Sequence, residues 1–210
     1  MTGIRLREAA PGDAPAIAAL HAANWRGAYA NVLDPAYLAG PIDADRLAVW
    51  SKRLSDPPAT QEVVLAEDEG DALAGFVCLY HREHPVWGGF VDNLHSAAAV
   101  RGRGVGTALL REAARRIAAR DADAGLWLWV FEKNSPARGF YEALGARIVE
   151  QVVSDWDIAR GEMRLRCHWP DAARLAAEPD PSATAPSARC GCRTDRPRRH
   201  ARSRQAACLL

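Results

Sequence analysis

A chain of 210 residues that is 49% apolar holds one domain of ordinary size with a real core, plus an appendage. The formal net charge of +1 excludes a global field that would mark nucleic acid or a membrane surface as the partner. An odd count of five cysteines without a spaced framework argues for a reducing compartment. The start of the chain has no apolar stretch of signal-peptide type, and no run approaches the ~20 apolar residues of a membrane helix, so a cytoplasmic location is expected.

In chain order, Ile4 to Arg7 alternates as a first strand. Asp13 is placed to N-cap a helix whose buried face carries Ile17, Leu20 and His21. The aromatic stretch Trp25 to Leu38 is broken by Pro35, and Asp43 to Leu54 is a second helix ended by Pro57-Pro58. Glu62 to Ala66 and Leu73 to Tyr80 read as a hairpin about Gly70. A fourth strand, Phe90 to Val100, leads into a third helix, Thr107 to Arg120, with Leu109, Leu110, Ala113, Ala114 and Ile117 on one stripe and Arg111, Arg115, Arg116 and Arg120 toward water. Leu126 to Phe131 is unbroken bulk, as in a strand covered on both faces. Pro136 to Leu144 is a fourth helix with Gly145 at its C′ position. Ala146 to Val153 and Glu162 to Trp169 close the sheet. After Pro170 periodicity is lost in a proline- and arginine-rich stretch. The expected layout is a domain over residues 1–170 and a disordered basic tail over 171–210.

The run Arg101-Gly102-Arg103-Gly104-Val105-Gly106-Thr107 lies between a strand and a helix start. Glycines let backbone amides approach a ligand closely, a helix N-terminus adds unpaired N–H donors, and arginines add charge suited to phosphate. A Walker loop would need Gly-Lys-Ser/Thr, and the dinucleotide fingerprint starting at Gly104 fails at Leu109. Arg101, Gly104 and Gly106 fill an Arg-x-x-Gly-x-Gly pattern. Asn134, Ala137, Tyr141 and Gly145 fill a second one, Asn-x-x-Ala-x-x-x-Tyr-x-x-x-Gly, after the fifth strand.

Through these two motifs the chain resembles the GCN5-related N-acetyltransferases over roughly residues 4 to 169. The resemblance implies an α/β (α+β) fold: a mixed, mostly antiparallel sheet of about seven strands, splayed between the fourth and fifth, with about four helices. It implies acetyl-CoA as acyl donor and direct transfer to a primary amine in a ternary complex. The pantetheine arm would pair with the fourth strand at Leu94, His95 and Ser96, and the pyrophosphate would lie over Arg101 to Thr107, including Gly102, Arg103 and Val105. Asn134 would contact the pantetheine or cap the fourth helix, and Tyr141 would touch the cofactor and protonate the departing thiolate.

The general base is open. Where some members of the family carry a glutamate, this chain has Trp129. Asp92, His95 and Glu132 are the candidates nearby, His95 having the best intrinsic pKa, and a water relay is the alternative. Trp25, Tyr29 and Tyr37 fall where the family lines its acceptor pocket, or else they are core. Cys78 and Cys167 read as core residues. His81 and His84, and the lone Cys190-Gly191-Cys192, lack the spacing of a metal site, so no metal is expected. No membrane or nucleic-acid partner is expected; a homodimer is compatible with the sequence. Two rivals stay open: a non-catalytic acyl-CoA-binding regulatory module, and a transferase guided to nucleic acid by the basic tail.

Overall fold

The computed structural model describes residues 3–177. Seven strands form one sheet: β1 (Arg5–Glu8), β2 (Gln61–Glu67), β3 (Leu73–His84), β4 (Gly88–Ser96), β5 (Leu126–Phe131), β6 (Arg147–Val153) and β7 (Met163–Trp169). Six helices accompany them: α1 (Ala14–Ala28), α2 (Pro35–Ala39), α3 (Ile42–Ser55), α4 (Val105–Arg120), α5 (Ser135–Ala143) and α6 (Ala172–Ala176). The spatial order is β1-β2-β3-β4-β5-β7-β6, with β4 and β5 parallel and every other pair antiparallel. The fold is the expected mixed, mostly antiparallel one.

One face of the sheet packs against α4, α5 and α6. The stripe read from the sequence, Leu109, Leu110, Ala113, Ala114 and Ile117, is buried there with Val64, Val77, Leu94, Leu128 and Tyr141. α1 and α3 cover the other face over β2 and β3, burying Ile17, Trp50, Leu65 and Phe76. The remainder of that face, toward β5 and β7, has an aromatic cluster of Phe90, Trp127 and Trp129. Guanidinium groups roof it: Arg166 lies 4.2 Å from the Trp127 ring centre and Arg164 lies 4.8 Å from that of Trp129.

The structure corrects several boundaries. The fourth strand ends at Ser96; residues 98–100 tighten into a 3-10 turn, and α4 starts at Val105 rather than Thr107. Pro35 opens a short helix instead of only breaking one, with Asp34 accepting from the Ala36 amide at 2.7 Å. Asp13 stands at the α1 N-cap, but its carboxylate is taken by the Ala10 amide at 2.7 Å and by Arg7 at 2.8 Å, so it closes the preceding turn rather than capping the helix. Arg116 does not simply face water: it joins α4 to β1 and β2 through Glu8 and Glu62. The ordered chain also runs past residue 170. Asp171 caps α6 through the Arg174 amide, and Ala172 and Leu175 are buried in the main core. The remainder of the tail, with Cys190, Cys192 and Cys208, lies outside the described residues.

Candidate active site

The splay between β4 and β5 makes the site. The two strands are in register only at Gly89–Leu126 and Phe90–Trp127. Beyond those pairs they diverge, and among the described residues the β5-facing edge of β4 from Val91 to Ser96 has no strand partner. A register shift between Cys78 and Leu79 leaves Asp92 as the extra residue opposite β3. Such a bulge bends and twists its strand, which helps turn β4 away from β5. The result is a slot with main-chain groups on its wall.

The slot opens onto the Gly-rich loop. Gly102 and Gly104 have φ of +77° and +84°, a left-handed backbone that costs an L side chain roughly 1–2 kcal/mol. Gly104 is the N-cap of α4, so the amides of Val105, Gly106 and Thr107 have no helix carbonyl behind them. These donors and the positive end of a 16-residue helix face the same point. A Cβ built on Gly102 or Gly104 meets nothing within 4 Å, so the space above both glycines is open for a ligand.

Asn134 caps α5: its Oδ1 accepts from the Ala137 amide at 3.3 Å, and its Nδ2 donates to the Tyr29 hydroxyl at 3.1 Å. Tyr141 follows two turns along α5 and is fully buried beside Phe140 and Trp169.

The sequence-named base candidates separate sharply. His95 is fully buried, its ring 4.5 Å from that of His21 and 5.0 Å from that of Phe76. Burial first, then the charges of Arg101 and Arg46, push it down to about 3. The ordinary imidazole pKa that recommended it as a base is therefore lost. Asp92 is 0% exposed and pairs with Arg53 of α3 at 2.5 Å. Burial raises its carboxyl above the usual range, and the Arg53 guanidinium works against that rise. Its second oxygen, Oδ1, has no protein partner among the described residues. Glu132 is exposed; its carboxylate accepts from Gln151 at 3.4 Å and its carbonyl from Arg138 at 3.1 Å.

Trp25 and Tyr29, named from the sequence as acceptor-pocket lining or core, are buried. Both are buried with Val32, Leu33, Ile42 and Phe131, and Arg46 lies 4.6 Å from the Trp25 ring centre. The reason is geometric: Trp25 lies on the buried face of α1, and Tyr29 is the residue that ends that helix. Tyr37 is half-buried and bonded to Asp45. His81 pairs with Glu62 at 2.7 Å, and His84 accepts the amides of Val86 and Trp87. Cys78 and Cys167 are free and buried, as their strand positions predicted. Among the described residues no three His, Cys, Asp or Glu side chains are grouped to hold a metal, and no helix is long and apolar enough to cross a membrane. The sequence reading missed Asn24, Arg46 and Arg53. Asn24 had a signal, a polar side chain three and seven residues on from His21 and Ile17 on the buried face of α1; the two arginines had none.

Comparison with known proteins decides the family. Residues 20–146 match the sequence model of the acetyltransferase (GNAT) family. This chain belongs to the GNAT acetyltransferases. A Mycobacterium tuberculosis protein named a probable N-acetyltransferase is 33% identical over 145 residues, covering 67% of this chain and 78% of that one. A mycothiol acetyltransferase of Nocardia farcinica is 41% identical over 129 residues, 59% of this chain but only 38% of that longer protein. Among solved structures, the PaiA N-acetyltransferase of Thermoplasma acidophilum in complex with coenzyme A superposes with a TM-score of 0.59 at 18% identity, covering 78% of this chain and 98% of that one. Nourseothricin acetyltransferase gives 0.57 at 25% identity, with 81% and 99% covered. These likenesses bear on the fold and the family of this GNAT chain.

Proposed function

We propose that this GNAT protein is an acetyl-CoA-dependent N-acetyltransferase that moves the acetyl group directly to a primary amine of a small molecule or protein. The observation that carries the reading is the sequence of surfaces along the slot: the open edge of β4 leads, across the 3-10 turn of residues 98–100, to the left-handed glycines and the first amides of α4. That is the shape of a long, narrow ligand with a polar arm and a pyrophosphate. The residues fit it. The main chain of Leu94, His95 and Ser96 would pair with the pantetheine amides as an added strand, and Arg101 to Thr107 would seat the pyrophosphate.

The amine reaches the site protonated at neutral pH. Asp92, with a free oxygen and a raised pKa, takes that proton more readily than an exposed aspartate would. The freed lone pair attacks the thioester carbonyl carbon, the C–S bond breaks, and Tyr141 gives its hydroxyl proton to the leaving sulfur; the second proton, shed by the nitrogen as it becomes an amide, passes through water to restore the Tyr141 hydroxyl. Arg53 holds Asp92 in place as a positioning residue. His95 is neutral and serves the site by shape and hydrogen bonding, not as a base.

The test is thiol release from acetyl-CoA across an amine library, followed by Asp92→Asn. With an accepted amine, kcat/KM should fall roughly 10²-fold in the variant, and its rise with pH should shift to where the amine itself deprotonates. Tight acetyl-CoA binding with no thiol release from any amine would favour the non-catalytic module instead.

A further inference from the structure

Asn24 is a polar amide on the buried face of α1, shared with Ile17 and His21. Such a group is costly to bury unless each of its hydrogen bonds is made. Here they are made, to three separate places. Oδ1 accepts from the Arg101 guanidinium at 2.9 Å, Nδ2 donates to the Ser96 carbonyl at 3.1 Å, and the same Nδ2 lies 3.4 Å from His95 Nδ1. The amide has only one orientation that works, because a guanidinium can only donate and a carbonyl can only accept. Nδ2 therefore also donates to His95, whose Nδ1 must accept. A neutral His95 then carries its proton on Nε2.

The partners define what the bridge does. Ser96 and His95 end the open edge of β4, and Arg101 opens the Gly-rich loop. Between them the chain crosses the 3-10 turn of residues 98–100, and Asn24 clamps both sides of that turn from the opposite layer of the fold. The slot presents mostly main chain to its ligand. Its precision depends on whatever fixes that main chain.

We propose that Asn24 is a positioning residue for the acetyl-CoA slot, holding Arg101 and the end of β4 in one arrangement from helix α1. One guanidinium nitrogen of Arg101 is committed to this bridge, and the remainder of the fork stays available to a phosphate. The bridge also ties the donor slot to the helix that carries Trp25 and Tyr29. This inference rests on the reading that Arg101 to Thr107 seats the pyrophosphate.

The experiment compares Asn24→Leu, Arg101→Met and their double variant by calorimetry with acetyl-CoA, with Gly104→Glu as the control for the loop. Asn24→Leu should weaken acetyl-CoA binding about tenfold while kcat at saturating acetyl-CoA stays within about threefold, the split expected of lost preorganisation rather than lost chemistry. The double variant should lose clearly less than the sum of the two single losses, because the Asn24–Arg101 bond is removed in both. A second readout needs no affinity: nitrogen NMR of His95 should show the Nε2–H tautomer in the wild type. In Asn24→Asp the proton should move to Nδ1, since a carboxylate then faces it. A folded Asn24→Leu with wild-type affinity, fully additive losses, or an Nδ1–H tautomer in the wild type would each overturn the proposal. If Gly104→Glu also keeps wild-type affinity, the loop reading itself has failed; if only Gly104→Glu loses binding, the loop reading stands and Asn24 has no positioning role.

Discussion

The two sides of the β4–β5 slot are built on different principles. On the α4 side the wall of the slot is backbone: the left-handed glycines 102 and 104, the first amides of α4 and the edge of β4. On the α1–α3 side buried side chains stand behind the slot. Asp92 is held by Arg53, His95 and Ser96 by Asn24, and Trp25 by the Arg46 guanidinium. A backbone site needs particular residues at particular spacings, so it leaves a motif. A side-chain site is assembled from distant positions, here Asn24, Arg53 and Asp92, and leaves none.

The sharpest way to break that contrast is Gly104→Glu. The variant puts a side chain at φ +84° and a negative charge where phosphate would lie. Calorimetry should detect no acetyl-CoA binding while circular dichroism stays native. Wild-type affinity in the folded variant would mean that the loop is an ordinary turn.

Tyr141→Phe keeps the buried ring and deletes one proton. With a good acceptor, kcat should drop roughly 10²-fold and acetyl-CoA affinity should hold. A drop of less than about threefold would make Tyr141 a packing residue and leave protonation of the sulfur to water.

The main core can be probed at its late-sequence end. Leu175 packs against it from α6, so Leu175→Ala should cost about 2 kcal/mol, near the low end for a buried leucine. That is a fall of roughly 4–8 °C in Tm for a domain of this size. Truncation before Asp171 should cost at least as much, and an unchanged Tm after truncation would show that α6 docks without contributing.

A smaller, graded effect concerns the buried histidines. Burial lowers His21 well below its ordinary 6.5 and His95 to about 3. A depressed pKa means that the unfolded chain binds protons which the folded chain refuses. Stability from this source is complete above pH 6.5 and is lost as pH falls. The slope is about 1.4 kcal/mol per pH unit for each histidine, and for His95 it continues toward pH 3. Urea midpoints measured downward from pH 7 should fall accordingly. His95→Gln should flatten the slope; an unchanged slope would place the proton uptake elsewhere.

Much of the fold was legible because its signals are local. The α4 stripe, the unbroken bulk of β5, the Gly145 cap and the β2–β3 hairpin each follow from periodicity or turn chemistry within a few residues. The two motifs placed the slot because glycine conformation and an N-cap are written at fixed spacings. What the sequence left undecided needed the third dimension. The swap that sets β7 beside β5 and leaves β6 at the edge depends on pairing across the whole sheet. The docking of α6 depends on the core to which α4 contributes, where Ala172 and Leu175 are buried. The relative basicity of His95 and Asp92 turns on burial, which reverses their ordinary order: the imidazole becomes a weaker base and the carboxyl a stronger one. An isolated side chain carries a known pKa, but desolvation and neighbouring charge come only from what the tertiary fold packs around it.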